Sequence, residues 1–243
     1  MIGVLLSSVS LVWGIVAAIR DEDFRMESQW SVEHERHHYS MIDSVMSVHA
    51  QRLLRLLVLV SDSVEHENEL LSVSRVTFYY CHDDRLYTVA RFSRNLELGK
   101  RGRSSYPPNE GCIGLAYTGG RIAFERFPSK EEEWIQYNMT QYKISERECR
   151  GMKMKSRVIL AVRMEHDEHP MGAIAIESLN SDFIDESLVD SVNDKTAVRW
   201  AVETASAVMF SMKDDIELWL NKLNETEGAR RESGRPGGSA CRL

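Results

Sequence analysis

The spacing that most directly suggests chemistry lies in a polar stretch near the start of the chain. His34, Glu35 and His38 match HExxH, a pattern that on a helix presents two histidines as zinc ligands and a glutamate as base. The zinc-binding helix of such enzymes is mostly apolar around the motif, whereas Arg36 and His37 fill the middle positions here. No third ligand follows within helical reach. We interpret these side chains as a solvated helix face and expect no metal site.

The four cysteines are widely spaced and include no CxxC pair: Cys81, Cys112, Cys149 and Cys241. Reduced cytosolic thiols are the plain interpretation. The sequence carries no Ser/His/Asp set, P-loop or dinucleotide fingerprint, so we expect no catalytic residues and no enzymatic activity. The net charge of -7 argues against nucleic acid as a partner, because phosphate binding needs a basic surface.

An uncharged apolar run covers residues 2–19. As a helix it would span about 27 Å, close to the thickness of the hydrocarbon core. A signal peptide normally has a Lys or Arg before its apolar core, and none precedes this run. The basic Arg20 and Arg25 follow the run, which favours a cytoplasmic location for the side that carries them. We predict a single-pass anchor at residues 1–20 in the cell inner membrane, with the bilayer as partner and the rest of the chain cytoplasmic. A cleaved signal peptide and a buried helix are the alternatives.

The anchor is followed by a stretch that favours a long helix. No Pro or Gly occurs from Phe24 to about Val60, and residues 21–44 are predicted to form a juxtamembrane helical stalk. Apolar side chains fall on two adjoining stripes. These stripes are Met41, Val45 and Val48, and Ile42, Met46, His49, Leu53, Leu56 and Val60. Since such stripes need an apolar partner, they should pack on the following domain or pair in a coiled-coil homodimer.

From Arg75 the period changes to that of strands. RVTFYYC and LYTVARFS alternate around the turn HDDR and predict a β-hairpin. RIAFERF predicts another strand, and SRVILAVRM with MGAIAIESL predicts a second hairpin. CIGLAYTGG predicts a short helix stopped by Gly119 and Gly120. SKEEEWIQYNMTQY predicts a helix capped by Ser129. A single long helix is predicted from Asp185 to about Asn224.

This order of elements resembles the GAF domain family over roughly residues 45–222. The local likeness is carried by NEGCIGLAYTGG and by the strand pair LAVRM…MGAIAIESLNSDF. The resemblance implies an α/β fold of the α+β type, with an antiparallel sheet of about six strands. Helices from both chain ends would cover one face, and a ligand pocket would lie on the other. The domain is predicted at residues 45–224, followed by a disordered tail at 225–243.

The resemblance also implies which side chains line a pocket. In the family the pocket is lined from the crossover and from inner sheet positions, where small and aromatic side chains suit a modest organic ligand. The matching residues are Tyr106, Glu110, Cys112, Ile113, Ala116, Tyr117 and Phe124. The ligand is left unnamed, and the alternative is that these side chains simply fill the space.

Two ligand signatures known in GAF domains are incomplete here. The cyclic-nucleotide pattern of Asn-Lys, Phe and Asp-Glu is matched by Asn180, Phe183, Asp185 and Glu186, but Ser181 stands in place of its lysine. The Cys-His pair of bilin-binding domains would correspond to Cys81 and His82, which lie at the end of the first hairpin strand. Neither ligand is therefore predicted.

One branch of the family, free methionine sulfoxide reductase, is enzymatic and needs an attacking thiolate and a resolving thiol. Cys112 stands one position away from that branch's pattern, and Cys81 and Cys149 do not match its other cysteines. We therefore predict a membrane-anchored GAF-type sensor that binds a small molecule and signals through dimer helices to an unnamed output protein. The alternatives are a membrane-tethered interaction scaffold without a ligand and, more remotely, that reductase.

Overall fold

The computed structural model describes residues 39–61, 64–100, 102–103, 105–194 and 196–233, with side chains to residue 225. The predicted anchor, the HExxH stretch and residues 234–243 of the predicted tail lie outside this range. The described residues from Ile42 onward form one compact unit. Within the described residues, no helix has the length and apolarity needed to cross a membrane.

Six strands form one antiparallel sheet in the order β3-β2-β1-β6-β5-β4. The β1/β2 and β5/β6 hairpins lie where the alternating segments predict them. The strands are β1 Ser74–His82, β2 Arg85–Phe92, β3 Ser105–Tyr106, β4 Ile122–Arg126, β5 Val158–His166 and β6 His169–Ser178. This sheet, flanked by helices, confirms the predicted GAF-like fold class.

Nine α-helices are found in the described part of the chain. They are α1 over residues 39–60, α2 Glu67–Val73, α3 Leu96–Gly99, α4 Gly111–Leu115, α5 Glu131–Tyr142, α6 Glu146–Gly151, α7 Glu186–Asn193, α8 Ala197–Ser211 and α9 Lys213–Ser233. A π-helical turn at Ala116–Gly120 continues α4.

The sheet separates two apolar clusters. On one side, here called the helix face, α1 buries Leu53 and Leu57 in the same cluster as Val76 and Phe78 of β1. Helices α7, α8 and α9 complete this cluster. Leu53 and Leu57 are four residues apart and so share one side of α1, and burial of such a side chain contributes roughly 1.5–3 kcal/mol. Helices α4, α5 and α6 pack over β4 and β5 on the opposite side, the cavity face.

The predicted terminal helix is three helices. Thr196 caps α8 by accepting a hydrogen bond from Arg199 N at 3.4 Å. A new helix therefore begins after Thr196, and α7 and α8 are separate helices. A second break falls at Met212, with φ -103° and ψ 13°. Helix α9 then extends past Asn224 to Ser233.

Two predicted helix caps are also corrected. Gly119 and Gly120 belong to the π-helical turn, and the left-handed residue that ends it is Arg121, with φ 63°. Helix α5 has Lys130 at its N-cap position with no side-chain hydrogen bond, so Ser129 does not cap it.

Two other glycines of the same segment have clear structural reasons. Gly111 adopts φ +68° at the start of α4, a conformation that L side chains rarely adopt. A Cβ on Gly114 would lie 2.8 Å from both Pro108 O and Asn109 C. Gly114 therefore lets α4 approach the turn that precedes it.

Gly114→Ala is expected to lower the free energy of unfolding by about 1–3 kcal/mol, because the backbone atoms it meets cannot move aside cheaply. Gly119→Ala is the matched control, since an added Cβ there meets nothing within 4 Å. It should be neutral or stabilising by about 0.4–1 kcal/mol. Urea denaturation of both variants measures this, and equal effects would show that close packing at Gly114 is unimportant.

Candidate ligand-binding cavity

A cavity of about 320 Å³ lies on the cavity face of the sheet. Its walls come from β1, β2 and β6, from the start of α4, and from the α5–α6 region. A volume of this size falls in the range of small-molecule sites.

The floor of the cavity contains a buried ion pair. Arg75 on β1 and Glu177 on β6 are directly opposite each other in the sheet. Arg75 Nε donates to Glu177 Oε2 at 2.6 Å, and Nη2 donates to Oε1 at 2.9 Å. Ser156 Oγ also donates to Oε1, at 2.9 Å. Both carboxylate oxygens of Glu177, which is only 6% exposed, are thereby engaged.

These contacts decide the charge of Glu177. Burial by itself would raise the pKa of this carboxyl, but the ion pair and hydrogen bonds with Arg75, together with Arg91 and Ser156, hold it below its ordinary value. The bidentate geometry is the favourable one for a buried pair. Glu177 is therefore ionised at neutral pH.

A second guanidinium, that of Arg91 on β2, also lines the cavity. Its Nε donates to Thr77 Oγ1 at 3.0 Å and its Nη1 donates to Lys100 O at 3.0 Å. None of the ion pairs recorded among the described residues includes Arg91. Burial raises the pKa of Tyr79 and of Tyr106, and the nearby charge of Arg91 opposes the shift in both.

One wall of the cavity is aromatic. Phe127, Trp134 and Tyr142 all line it, with the Phe127 ring centroid 6.1 Å from that of Trp134 and 6.2 Å from that of Tyr142. Trp134 Nε1 donates to Ser156 O at 2.9 Å, and Asn138 Nδ2 donates to Trp134 O at 2.8 Å. The polar atoms of this wall therefore fix the ring orientations.

Arg103 links the loop before β3 to the helices around the cavity. Its Nη2 donates to Glu110 Oε2 at 3.1 Å, and its Nη1 lies 3.4 Å from Glu148 Oε1. Its guanidinium carbon is 4.8 Å from the centre of the Tyr106 ring. The mouth of the cavity is framed by exposed lining residues on either side of this link. They are Glu97, Lys100 and Gly102 on one side and Glu148, Gly151 and Lys153 on the other.

The sequence-predicted pocket residues divide into two groups. Four of them, Tyr106, Glu110, Cys112 and Ile113, line the cavity. The structure does not bring the other three, Ala116, Tyr117 and Phe124, to the lining.

Each of those three has its own surroundings. Ala116 is fully buried in the cluster beneath α5, and Tyr117 packs beside Tyr79 and Leu86. Phe124 packs on the helix face, because its neighbour Ala123 on β4 takes the cavity face and successive side chains alternate. Whether any residue of the predicted set contacts a ligand stays a prediction.

Cys112 is the cysteine in the cavity wall. It is 3% exposed, and its Sγ donates to Ala123 O at 3.5 Å. Burial raises the pKa of its thiol to about 12, so Cys112 is a neutral thiol at neutral pH. Burial also raises the pKa of Cys149 and of Cys81.

Sequence reasoning missed the charged floor and the aromatic wall of the cavity. A signal for the floor was present, since Arg75, Arg91 and Glu177 are charges inside otherwise apolar strands. The aromatic wall gave no such signal, because Phe127, Trp134 and Tyr142 are ordinary core residues by type. In the described part of the chain, no cluster of three or more His, Cys, Asp or Glu residues is placed to hold a metal ion.

No family model and no curated protein matches the sequence, but solved structures do. The type II free methionine-R-sulfoxide reductase from Thermoplasma acidophilum is 14% identical, with a TM-score of 0.45 over 70% of this chain and 94% of that one. The free methionine-R-sulfoxide reductase from Neisseria meningitidis, in complex with its substrate, is 15% identical, with a TM-score of 0.41 over 71% and 88%. The GAF domain of an Acinetobacter phosphoenolpyruvate-protein phosphotransferase is 14% identical, with a TM-score of 0.40 over 75% and 96%.

Likeness at these identities concerns the fold alone. The chain has the sheet and helix arrangement that the GAF resemblance implied. The expectation of a domain without enzymatic activity is corrected, because reductases are among the structures that match. A GAF-like fold therefore does not by itself separate binding domains from enzymes.

Glu177→Gln is expected to lower the free energy of unfolding at neutral pH by roughly 3–5 kcal/mol, because it leaves the Arg75 charge buried without its partner. The folded-state pKa of Glu177 lies below its ordinary value. Its contribution is therefore fully present above the unfolded-state pKa and is lost as the pH falls through the folded-state pKa. The difference between wild type and variant should shrink on acidification, which denaturant titrations at several pH values measure.

Glu132→Gln provides the control for this experiment. Glu132 pairs with Arg150 on the surface, where an ion pair contributes little. Its loss should scarcely change stability at any pH. A Glu177→Gln effect that stays constant down to acidic pH would contradict a role for the carboxylate charge.

Proposed function

We propose that the chain is a GAF-type regulatory domain that binds a small organic molecule in the cavity and passes the binding event to its helices. The observation that carries this proposal is the cavity itself, which has a charged floor at Arg75, Arg91 and Glu177 and an aromatic wall at Phe127, Trp134 and Tyr142. A few fixed polar groups in a largely apolar space are the usual composition of a ligand site.

Strand β1 supplies a connection from the cavity to the helices. Tyr79 lines the cavity, and the next residue, Tyr80, points to the helix face. Tyr80 Oη donates to Glu217 Oε1 of α9 at 2.7 Å, and Tyr87 Oη donates to Asn224 Oδ1 at 3.0 Å. A ligand that shifts Tyr79 therefore acts on a strand tied to α9, and it would favour one packing of these helices over another.

The proposal includes pairing of two copies through the helices. Val45 and Val48 on α1 are 36% and 44% exposed, and Trp200 on α8 is 62% exposed. In this proposal these exposed apolar side chains form the contact between the two copies. The same surface favours the second candidate function, a scaffold that binds an output protein without any small-molecule ligand.

We further propose that residues 1–20 anchor the domain to the cell inner membrane on its cytoplasmic side. The uncharged run at residues 2–19 supports this. Fractionation of the full chain and of a chain lacking residues 1–20 tests it. Recovery of the full chain in the soluble fraction would contradict the anchor.

A third candidate function is that of a free methionine sulfoxide reductase, and one observation favours it. Cys112 stands in the cavity wall, where a bound molecule would reach its thiol. Free methionine sulfoxide therefore belongs among the compounds tried as ligands, with a dithiol present as the two-electron reductant and the release of methionine as the readout.

A cavity-filling pair of variants tests ligand binding. Ala175 and Ala161 face each other across β6 and β5, yet only Ala175 lines the cavity. Ala175→Leu should project into open space and cost less than about 1 kcal/mol, whereas Ala161→Leu should overpack the core and cost about 1–3 kcal/mol. Ala175→Leu should also abolish the rise in melting temperature that a bound ligand gives to the wild type.

The experiment is a thermal-shift screen of the full chain against nucleotides, amino acids, carboxylic acids and tetrapyrroles, repeated with both variants. A ligand that stabilises wild type and Ala175→Leu equally binds elsewhere. A screen in which no compound stabilises the wild type would favour the scaffold.

Replacing Val45 and Val48 together by Glu should convert a dimer of the full chain to a monomer that remains folded, because both side chains are exposed. Gln141→Glu on α5 is the matched control, since it adds charge at an exposed site away from α1. Sedimentation velocity reports the mass. A wild-type chain that is already monomeric would overturn the pairing.

A further inference from the structure

The cavity holds an imbalance of charge at its floor. Two guanidiniums, those of Arg75 and Arg91, face it together with one carboxylate, that of Glu177. Glu177 is taken by Arg75 through two hydrogen bonds and by Ser156 through a third. Arg91 hydrogen-bonds to the Thr77 hydroxyl, the Lys100 carbonyl and the Tyr79 hydroxyl. With two guanidiniums and one carboxylate, the floor carries a net positive charge.

The rest of the lining does not remove this excess. Lys100 pairs with Glu97 at the mouth, and Arg103 is shared by Glu110 and Glu148. Lys153 is the remaining cation at the mouth. Over the described lining residues the five Lys and Arg side chains exceed the four Glu side chains by one. A single negative charge would balance the cavity.

Arg91 is also placed to receive that charge. A guanidinium carries five N–H donors, and the acceptors of Arg91 are two hydroxyls and one backbone carbonyl, none of which is charged. The planar guanidinium suits a carboxylate, which it can bind through two parallel hydrogen bonds. The aromatic wall at Phe127, Trp134 and Tyr142 would receive an apolar body attached to that carboxylate.

We propose that the ligand of this cavity is a monocarboxylate with an aromatic or branched apolar body, whose carboxylate pairs with Arg91. This assignment rests on the proposed function, since it names the class of molecule that the same cavity binds. A phosphate monoester carries more than one negative charge at neutral pH and would overcompensate the floor.

The test uses acids and their neutral amides of the same shape. Phenylacetate, 3-phenylpropanoate and indole-3-acetate are titrated into the full chain by calorimetry beside their primary amides. The acids should bind about 10- to 100-fold more tightly, the range expected for a charge-assisted hydrogen bond. In Arg91→Gln this preference should disappear, whereas Arg91→Lys, which keeps the charge and loses the fork, should retain part of it.

Lys153→Gln is the matched control, because it removes the other unmatched cation of the lining at the exposed mouth. It should change the affinity for the acids by no more than about twofold, since an exposed charge is screened. Melting temperatures of all variants establish that each is folded. If Lys153→Gln removes the preference and Arg91→Gln does not, the assignment to Arg91 is overturned.

Failure of this inference and failure of the proposed function give different results. One result is that the amides bind as tightly as the acids, or that only neutral compounds bind. If Ala175→Leu abolishes this binding, the cavity is a ligand site but not one for an anion. Tighter binding of phenyl phosphate than of phenylacetate would overturn the choice of a monocarboxylate. If no compound of any class binds, both proposals fall.

Discussion

The pairing of Arg75 with Glu177 is the constraint on which the centre of this structure depends. The two residues join β1 to β6, the two central strands of the sheet. Taking two charges out of water is costly, and good geometry with further hydrogen bonds is needed to offset that cost. A slip of one residue between β1 and β6 would move Glu177 to the apolar helix face and leave Arg75 alone. The pair therefore fixes the register as well as the polarity of the cavity floor.

The same register gives the sheet two faces of different character. On the helix face Val76, Phe78 and Ile176 enter a large apolar cluster, which supplies most of the hydrophobic stabilisation. On the cavity face Arg75 and Glu177 occupy alternate positions of the same strands. The helix face can hold the fold together without the other, so the cavity face is free to carry charges and open space that a solid core would not tolerate.

The sequence was sufficient for elements whose signal is local. The hairpins followed from alternation, and the glycine segment lies at the start of α4, where Gly111 needs its positive φ. Features that depend on long-range packing were not predictable in this way. Arg75 and Glu177 are 102 residues apart in the sequence. In β4 the successive residues Ile122, Ala123 and Phe124 are all apolar, so their types do not show which of them faces the helices and which faces the cavity. The helix ends on either side of α8 were not predicted, because apolar residues keep their helical spacing on both sides of Thr196.

The position of Arg91 has a desolvation cost, and this cost points to a role in binding. A guanidinium held in a partly enclosed site loses water, and without an ion pair of its own it recovers only part of that hydration energy from Thr77, Lys100 and Tyr79. Evolution of stability alone would favour an acidic neighbour or an apolar replacement. Arg91 lies on β2 and hydrogen-bonds to Thr77, its register partner on β1, a contact for which a neutral donor would suffice. Its charge is better explained by what the cavity admits, since a preorganised cation beside an aromatic wall attracts an anion more strongly than the same cation in open water would.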